Sequence, residues 1–406
     1  MTPLTATPTD IDFSAVRAAM RRYVDADLLA GVSSAVLVGR DLVDLDCAGW
    51  ADRERREPLR PDHLFRIFSN TKLVTSCAVL LLHEAGHFGL DAPIADFIPQ
   101  LANRRVLRSG ATSLDETEPA RAPITIRHLL SHSSGLSYGL LDPGTLAYRA
   151  YNERKVLSPA RSLAAMMDTL ADLPLVFHPG TGWEYSVGTD VLSRLVEVVS
   201  GEAFDTFIQS RVLDPLGMVD TGFVVPDAQR HRLAALYTGA DPFQPMQPGL
   251  TRADHLPYPQ ANLQTVARLS GGGGLVSTLG DMVALVRSLL PGGMTLLKRE
   301  TIALMMTNQL PAGVNITSPG IGTVHGKGFG LAGAVTLAPG QADPPGSAGE
   351  LQWGGMAGTH WWISPRANIA GVLMTQRWMG FWHPFSFEFK RLVCEAVDRR
   401  ERRPVH

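Results

Sequence analysis

Three short stretches of the chain carry residue types at spacings that could do chemistry. Ser69-Asn70-Thr71-Lys72 sets a hydroxyl and an amine three residues apart at the start of an apolar run. His83-Glu84-Ala85-Gly86-His87 has the H-E-x-x-H spacing with which one helix face holds zinc. Gly135-Leu136-Ser137-Tyr138-Gly139 fits the G-x-S-x-G of a nucleophile elbow. The second and third are poorly set. Gly86 stands where a helix should stop, which takes His87 off the face of His83, so a surface His pair and no metal is expected there. Before Ser137, Ile126 to Leu130 reads as helix where an elbow needs a strand, and Leu140-Leu141-Asp142-Pro143-Gly144 reads as loop. Ser137 is expected in a turn.

The first stretch is set well. A Ser at a helix N-terminus lies where backbone N–H groups and the helix dipole favour developing negative charge. The i,i+3 spacing puts the Lys72 amine on the same face, one turn on, where it can polarise the Ser69 hydroxyl and take its proton. A Lys among Leu73, Val74, Ala78 and Val79 is costly to bury without a task. An Arg could not replace it, because a guanidinium stays protonated. The chain has five lysines among 37 cationic residues, and the other four, Lys155, Lys298, Lys327 and Lys390, have no chemical context in the sequence.

The elements that must position these groups follow from periodicity. An amphipathic helix is predicted over 12–26, then a hairpin of Ser33–Val38 and Leu42–Ala48, and the helix that starts at Asn70 and runs to about Ala85. Helices are expected at Thr125–Leu130, Ser158–Leu173, Asp190–Val199, Ala203–Val212 and Thr278–Leu290, with loops over Asn103–Pro123 and Tyr237–Ala261. Strands return at Phe329–Leu337, Leu351–Trp353, Thr359–Ile363 and Ile369–Thr375, before a last helix from Pro384 to Asp398. Strands at both ends with helices between imply one mixed sheet interrupted by a helical insertion. The reading is an α/β (α+β) fold: residues 1–68 and 310–406 form the sheet domain, and 69–309 the mainly helical domain with the nucleophile helix.

Composition excludes several classes. With 37 Lys+Arg against 39 Asp+Glu the formal charge is −2, and no basic block points to nucleic acid or an anionic membrane surface. The Arg399–Arg403 run is expected to be a solvated helix end. At 45% hydrophobic and 19% charged the chain is globular in composition. No run approaches the ~18 apolar residues of a membrane span, and Met1 to Asp12 is polar without a signal-peptide core. Cys47, Cys77 and Cys394 have neither disulfide nor zinc spacing and read as buried free thiols in a reducing cytoplasm.

Several collinear segments bring a resemblance. Leu64 to Lys72 resembles the nucleophile motif of the serine β-lactamase and penicillin-binding-protein superfamily. Pro179-Gly180-Thr181-Gly182-Trp183-Glu184-Tyr185-Ser186 looks like its second motif, with Tyr185 at the place of the catalytic Tyr. Leu129 to Leu136 is similar to the family's "LLTHTSGL" turn, and Asp214 to Met218 and Gly271 to Thr278 are also typical. Where β-lactamases carry Lys-Thr-Gly, this chain reads Trp353-Gly354-Gly355-Met356, the form of family VIII carboxylesterases and lovastatin-type acyltransferases. A Trp cannot make the ion pair with a substrate carboxylate that the Lys makes there.

The resemblance implies a β-lactamase-like fold and a serine carboxylesterase of short-to-medium acyl esters, working through acyl-Ser69 with Lys72 and Tyr185 as the proton-transfer network. It implies an oxyanion hole of the Ser69 and Met356 backbone N–H groups, with Trp353, Gly354 and Gly355 along the substrate. Neither cofactor nor metal is called for; the partner is a small-molecule ester. Which of Lys72 and Tyr185 is the base, and the oligomeric state, stay open. Alternatives are acyl transfer from the same intermediate, weak β-lactamase or D-amino-acid peptidase activity, and an inactive ligand-binding domain. Tyr138, Tyr237, Trp361 and Trp378 are candidate rim residues.

Overall fold

The computed structural model describes residues 4–140, 144–241, 244–318 and 322–401. Leu141–Pro143, the first three residues, and Arg402 and Arg403 of the arginine run lie outside them.

Two long buried runs make the centre of the sheet. Strand β1 (Gly31–Val38) and the late strand Ile369–Thr375 are buried along almost their whole lengths, as strands covered on both faces must be. They pair with each other, Val32 opposite Thr375 and Val38 opposite Ile369, and so join the two ends of the chain. From β1 the sheet continues through β2 (Asp41–Asp52) to the short β3 (Glu57–Pro58). On the other side lie β8 (Ile369–Thr375), β7 (His360–Ser364), β6 (Leu351–Gly354), β5 (Ala334–Thr336) and β4 (Lys327–Phe329). All neighbours in this eight-stranded sheet are antiparallel.

Helix α1 (Ser14–Asp25) and the C-terminal helix α5 (Pro384–Glu401) cover one face, packing Val16, Met20, Phe389 and Val393 onto Trp362 and Leu373. The other face meets the main core, which includes α2 (Thr71–Glu84), α3 (Gly188–Ser200) and α4 (Leu279–Ser288). Every residue of α2 from Thr71 to Leu80 is buried. A helix apolar all round is enclosed on all sides, and this one lies against α3 and the Gly271–Gly274 loop.

The structure corrects several readings. The run Phe329–Leu337 is two strands, not one: β4 turns back into β5, with the Gly330 N–H donating to the Gly333 carbonyl. The Gly-Leu-Ala-Gly punctuation between them is the signal for this turn. Ser162 caps a shorter helix, Leu163–Ala171, with its hydroxyl accepting from the Ala165 N–H. The helix at Phe204–Ile208 widens into a π turn over Gln209–Leu213. Both presumed loops contain small hairpins, Arg105–Leu107 with Thr117–Pro119 and Tyr237–Gly239 with Leu250–Arg252. The helices Leu146–Glu153 and Arg299–Met305 have no counterpart among the expected elements. Cys77 is buried, whereas Cys47 and Cys394 are half-buried; all three are free.

Lys327 and Lys390 have more context than the sequence shows. They meet in a buried cluster with Asp343 and Glu350, in which Lys390 donates to Asp343, Glu350 and Gln352, and Lys327 to Asp343 and Thr336.

Candidate active site

Ser69 is placed by a strand, a turn and a helix in succession. Phe65–Arg66 pairs with Val276–Ser277, bringing the glycine loop beside the coming helix. The chain then turns at Phe68, whose φ of 44° lies in the left-handed region a non-glycine residue rarely enters. The Phe68 ring rests edge-on against Trp378 at 5.5 Å. Ser69 follows, half-buried, and Thr71 opens α2.

Lys72, only 2% exposed, stands one turn into the helix. Its ammonium donates to the Gly272 carbonyl at 2.6 Å and to Ser69 Oγ at 3.3 Å, and lies 4.6 Å from the centre of the Tyr185 ring. The Tyr185 hydroxyl lies 2.7 Å from Ser69 Oγ, in a bond in which the phenol donates. Trp353 on β6 donates its indole N–H to the Tyr185 oxygen at 3.3 Å. Ser69, Lys72, Tyr185 and Trp353 thus form one hydrogen-bonded chain drawn from three separate parts of the sequence.

Gly354 ends β6, and Gly355 and Met356 begin the turn after it. The Gly355 N–H donates to the Thr359 carbonyl at 2.6 Å, and Thr359 Oγ1 donates to the Ile67 carbonyl at 3.1 Å. These bonds fasten the turn to the segment just before Ser69. A Cβ at Gly355 would run into the Ile67 carbonyl oxygen and the Thr359 hydroxyl, so only glycine fits this crossing. Neither the Ser69 nor the Met356 backbone N–H meets an acceptor among the described residues. A cavity of about 450 Å³ opens at Ser69, its wall dominated by aromatic and aliphatic groups such as Tyr138, Tyr148, Trp183, Trp353 and Ile316. Such a site can present an activated hydroxyl and two free N–H donors to a carbonyl group held among apolar walls.

The other sequence signatures fall elsewhere. Ser137 is 1% exposed and donates its hydroxyl to Glu184, whose carboxyl burial pushes above the usual carboxylate range. His83 binds the Phe88 carbonyl at 2.8 Å through Nδ1 and His87 is exposed beyond the end of α2. No cluster of metal-binding side chains occurs among the described residues. Of the rim candidates, Tyr138 stacks on Tyr185 at 5.5 Å and lines the cavity with Trp361. Trp378 touches Phe68, and Tyr237 is buried away from the cavity, donating to Glu54.

Sequence reasoning did not single out His132. It is buried, takes a φ of 57°, and packs its ring 4.8 Å from that of Tyr185. Burial, with the charge of Lys72 nearby, holds its pKa well below the ordinary imidazole range. The signal was in view: a histidine in the serine-rich turn Ser131-His132-Ser133-Ser134.

Comparison with known proteins shows what the chain as a whole is similar to. The family model described as "Beta-lactamase" matches residues 16–382. Esterase EstB of Burkholderia gladioli is 31% identical over 92% of this chain and 94% of its own. Lovastatin esterase of Penicillium rubens is 34% identical over 78% of this chain and 80% of its own. Among solved structures, EstCE1, a hydrolase with promiscuous acyltransferase activity, superposes with a TM-score of 0.79 at 28% identity, covering 94% of this chain and 97% of that one.

Proposed function

Since the chain belongs to the beta-lactamase family of serine enzymes, we propose that it is a carboxylesterase that forms an acyl-enzyme on Ser69. The observation that carries the reading is the position of Ser69 Oγ, within reach of both Tyr185 and Lys72 at the mouth of an apolar cavity. Ser69 Oγ attacks the ester carbonyl carbon. The Lys72–Tyr185 pair, holding one proton fewer than its full complement, takes the Ser69 proton. The oxyanion is met by the N–H groups of Ser69 and Met356. The bond to the leaving oxygen then breaks, and the same pair returns the proton to the alkoxide. Water repeats the sequence on acyl-Ser69 and releases the acid.

Trp353 stands where the β-lactamase pattern has its lysine. Its N–H is directed at Tyr185, and it lines the cavity as an apolar wall. This favours neutral esters of short-to-medium acyl chains over substrates recognised through a carboxylate. A second reading, acyl transfer to an alcohol in place of water, draws support from the aromatic cavity and from the likeness to EstCE1, a hydrolase with promiscuous acyltransferase activity. We place the enzyme in the cytoplasm, on the three free thiols, each pushed up to about 12 chiefly by burial. No described helix is long and apolar enough to cross a membrane.

A fluorophosphonate probe with a panel of p-nitrophenyl esters and a chromogenic cephalosporin tests this reading. Labelling that disappears in Ser69→Ala, with turnover of the esters and little of the cephalosporin, is expected. Equal labelling of Ser69→Ala would remove the nucleophile assignment. Product formed only with an acceptor alcohol present would move the reading to acyl transfer.

A further inference from the structure

We infer that His132 is the positioning residue for Tyr185, gripping the backbone on both sides of it; this rests on the reading of Tyr185 as part of the proton network. Tyr185 lies in an irregular segment with no strand partner, yet its hydroxyl must be held to within a few tenths of an ångström of Ser69 Oγ. The Glu184 N–H donates to the His132 carbonyl at 3.0 Å, and the Ser186 N–H donates to His132 Nδ1 at 3.2 Å. The two amides that flank Tyr185 are therefore held by one residue, half by its main chain and half by its ring. The ring itself backs the phenol at 4.8 Å, tilted by 52°.

The bonding around Nδ1 fixes its state. Ser186 Oγ accepts the Gly188 N–H at 3.2 Å and lies 3.0 Å from Nδ1, so its own proton is free to point at the ring. With the Ser186 N–H and O–H both directed at it, Nδ1 acts as an acceptor, and the ring is the neutral tautomer with its proton on Nε2. A second proton would place two donors against a third. Of the side chains around the ring, Lys72 and Tyr185 can titrate, and Trp183 and Phe329 cannot. The φ of 57° adds a backbone demand met by His, Asn, Asp or Gly and by few others. His132 touches none of the reacting atoms and does not line the cavity, so it acts through Tyr185.

Two variants separate ring from backbone. His132→Gly keeps the left-handed turn and removes the acceptor; His132→Asn keeps the turn and sets Oδ1 where Nδ1 was. With folding checked by thermal unfolding, His132→Gly is expected to lose about 10- to 100-fold in kcat on p-nitrophenyl butyrate and in fluorophosphonate labelling rate, since misplacing a group by 1 Å costs about 10²-fold. KM should move less than about threefold, and His132→Asn should recover most of kcat. A folded His132→Gly variant that labels at the wild-type rate, or an Asn variant as impaired as Gly, overturns the proposal. The ring ¹⁵N shifts of wild type give a readout independent of turnover: the neutral tautomer with Nε2 protonated should persist from about pH 5 to 9, and an ordinary imidazole titration near about 6.5 overturns the assignment. If wild type does not label at all, the proposed function fails, and the shifts still decide the role of His132.

Discussion

Replacing Lys72 by Arg keeps a positive charge beside Tyr185 and removes the capacity to take a proton. The site leaves little room for compensation. The Lys72 ammonium is held between the Gly272 carbonyl at 2.6 Å and Ser69 Oγ at 3.3 Å, with the Tyr185 ring centre at 4.6 Å and that of Tyr138 at 5.8 Å. A guanidinium can donate to the same two oxygens but cannot accept from Ser69. General acid–base catalysis contributes about 10²–10⁴ in rate. At about 1.36 kcal/mol per tenfold, the loss expected in kcat is about 2.7–5.4 kcal/mol of transition-state stabilisation.

The assay is steady-state hydrolysis of p-nitrophenyl butyrate beside the rate of fluorophosphonate labelling. The larger head also overpacks the site, at a cost of about 1–3 kcal/mol of stability, so the melting temperature is read in parallel. Lys72→Ala provides the control for misfit, because it leaves space in which added methylamine can restore part of the rate. A folded Lys72→Arg enzyme with kcat/KM within about tenfold of wild type would refute the argument and leave Lys72 the role of a fixed cation.

Three further outcomes follow from the packing. Gly355→Ala drives a methyl group into the Ile67 carbonyl and the Thr359 hydroxyl and displaces the Met356 N–H; a loss of about 10²–10³ in kcat/KM is expected, and a change under tenfold would count against Met356 as an oxyanion donor. Lys390→Met leaves Glu350 and Asp343 facing Lys327 alone in a buried cluster, which should lower the urea-unfolding free energy by about 3–5 kcal/mol; a loss under about 1 kcal/mol would mean the cluster relaxes. Burial holds the pKa of His383 down to about 3 and that of His360 to about 4. Because both lie below the ordinary imidazole value, the unfolded chain binds protons first: the stability these residues contribute is complete above about pH 6.5 and is lost as pH falls toward their folded values. Melting temperature should therefore drop less between pH 7 and pH 5 in His383→Phe than in wild type, and equal drops would clear His383 as a cause.

What the sequence made legible was local or strongly periodic. The three-residue spacing of Ser69 and Lys72 is set by one helical turn, and the buried runs that became β1 and β8 are largely apolar, β1 broken only by Ser33-Ser34. Tyr185 and Trp353 were found through motif likeness, since nothing in their own neighbourhoods says that they meet Ser69. Partnerships made only by folding stayed hidden. His132 reaches Ser186 across 54 positions, and the ion cluster gathers Lys327 from a strand, Asp343 and Glu350 from the loop before β6, and Lys390 from a helix. The Gly330–Gly333 turn was visible in composition, but the flanking Phe329 and Val335 made the whole run look like one strand.

The lysines show what the missing partners change. Lys155 and Lys298 are exposed, whereas Lys72, Lys327 and Lys390 are buried in a chain that otherwise uses arginine. Burying an ammonium needs several acceptors close together, and a compact head with three donors meets them where a planar fork does not. Lys390 has such a trio in Asp343, Glu350 and Gln352. Lys327 shares Asp343, so the two lysines and two carboxylates make a neutral set. Any proton lost from either lysine would strand a buried carboxylate, and the set acts as a fixed structural joint between the sheet edge and α5. Lys72 differs in kind. Its acceptors, the Gly272 carbonyl and Ser69 Oγ, are neutral, and no carboxylate pairs with it among the described residues. Its proton can leave and return without breaking an ion pair. Burial alone therefore does not mark the lysine proposed to move a proton; burial among neutral acceptors, next to a hydroxyl at a helix N-terminus, does.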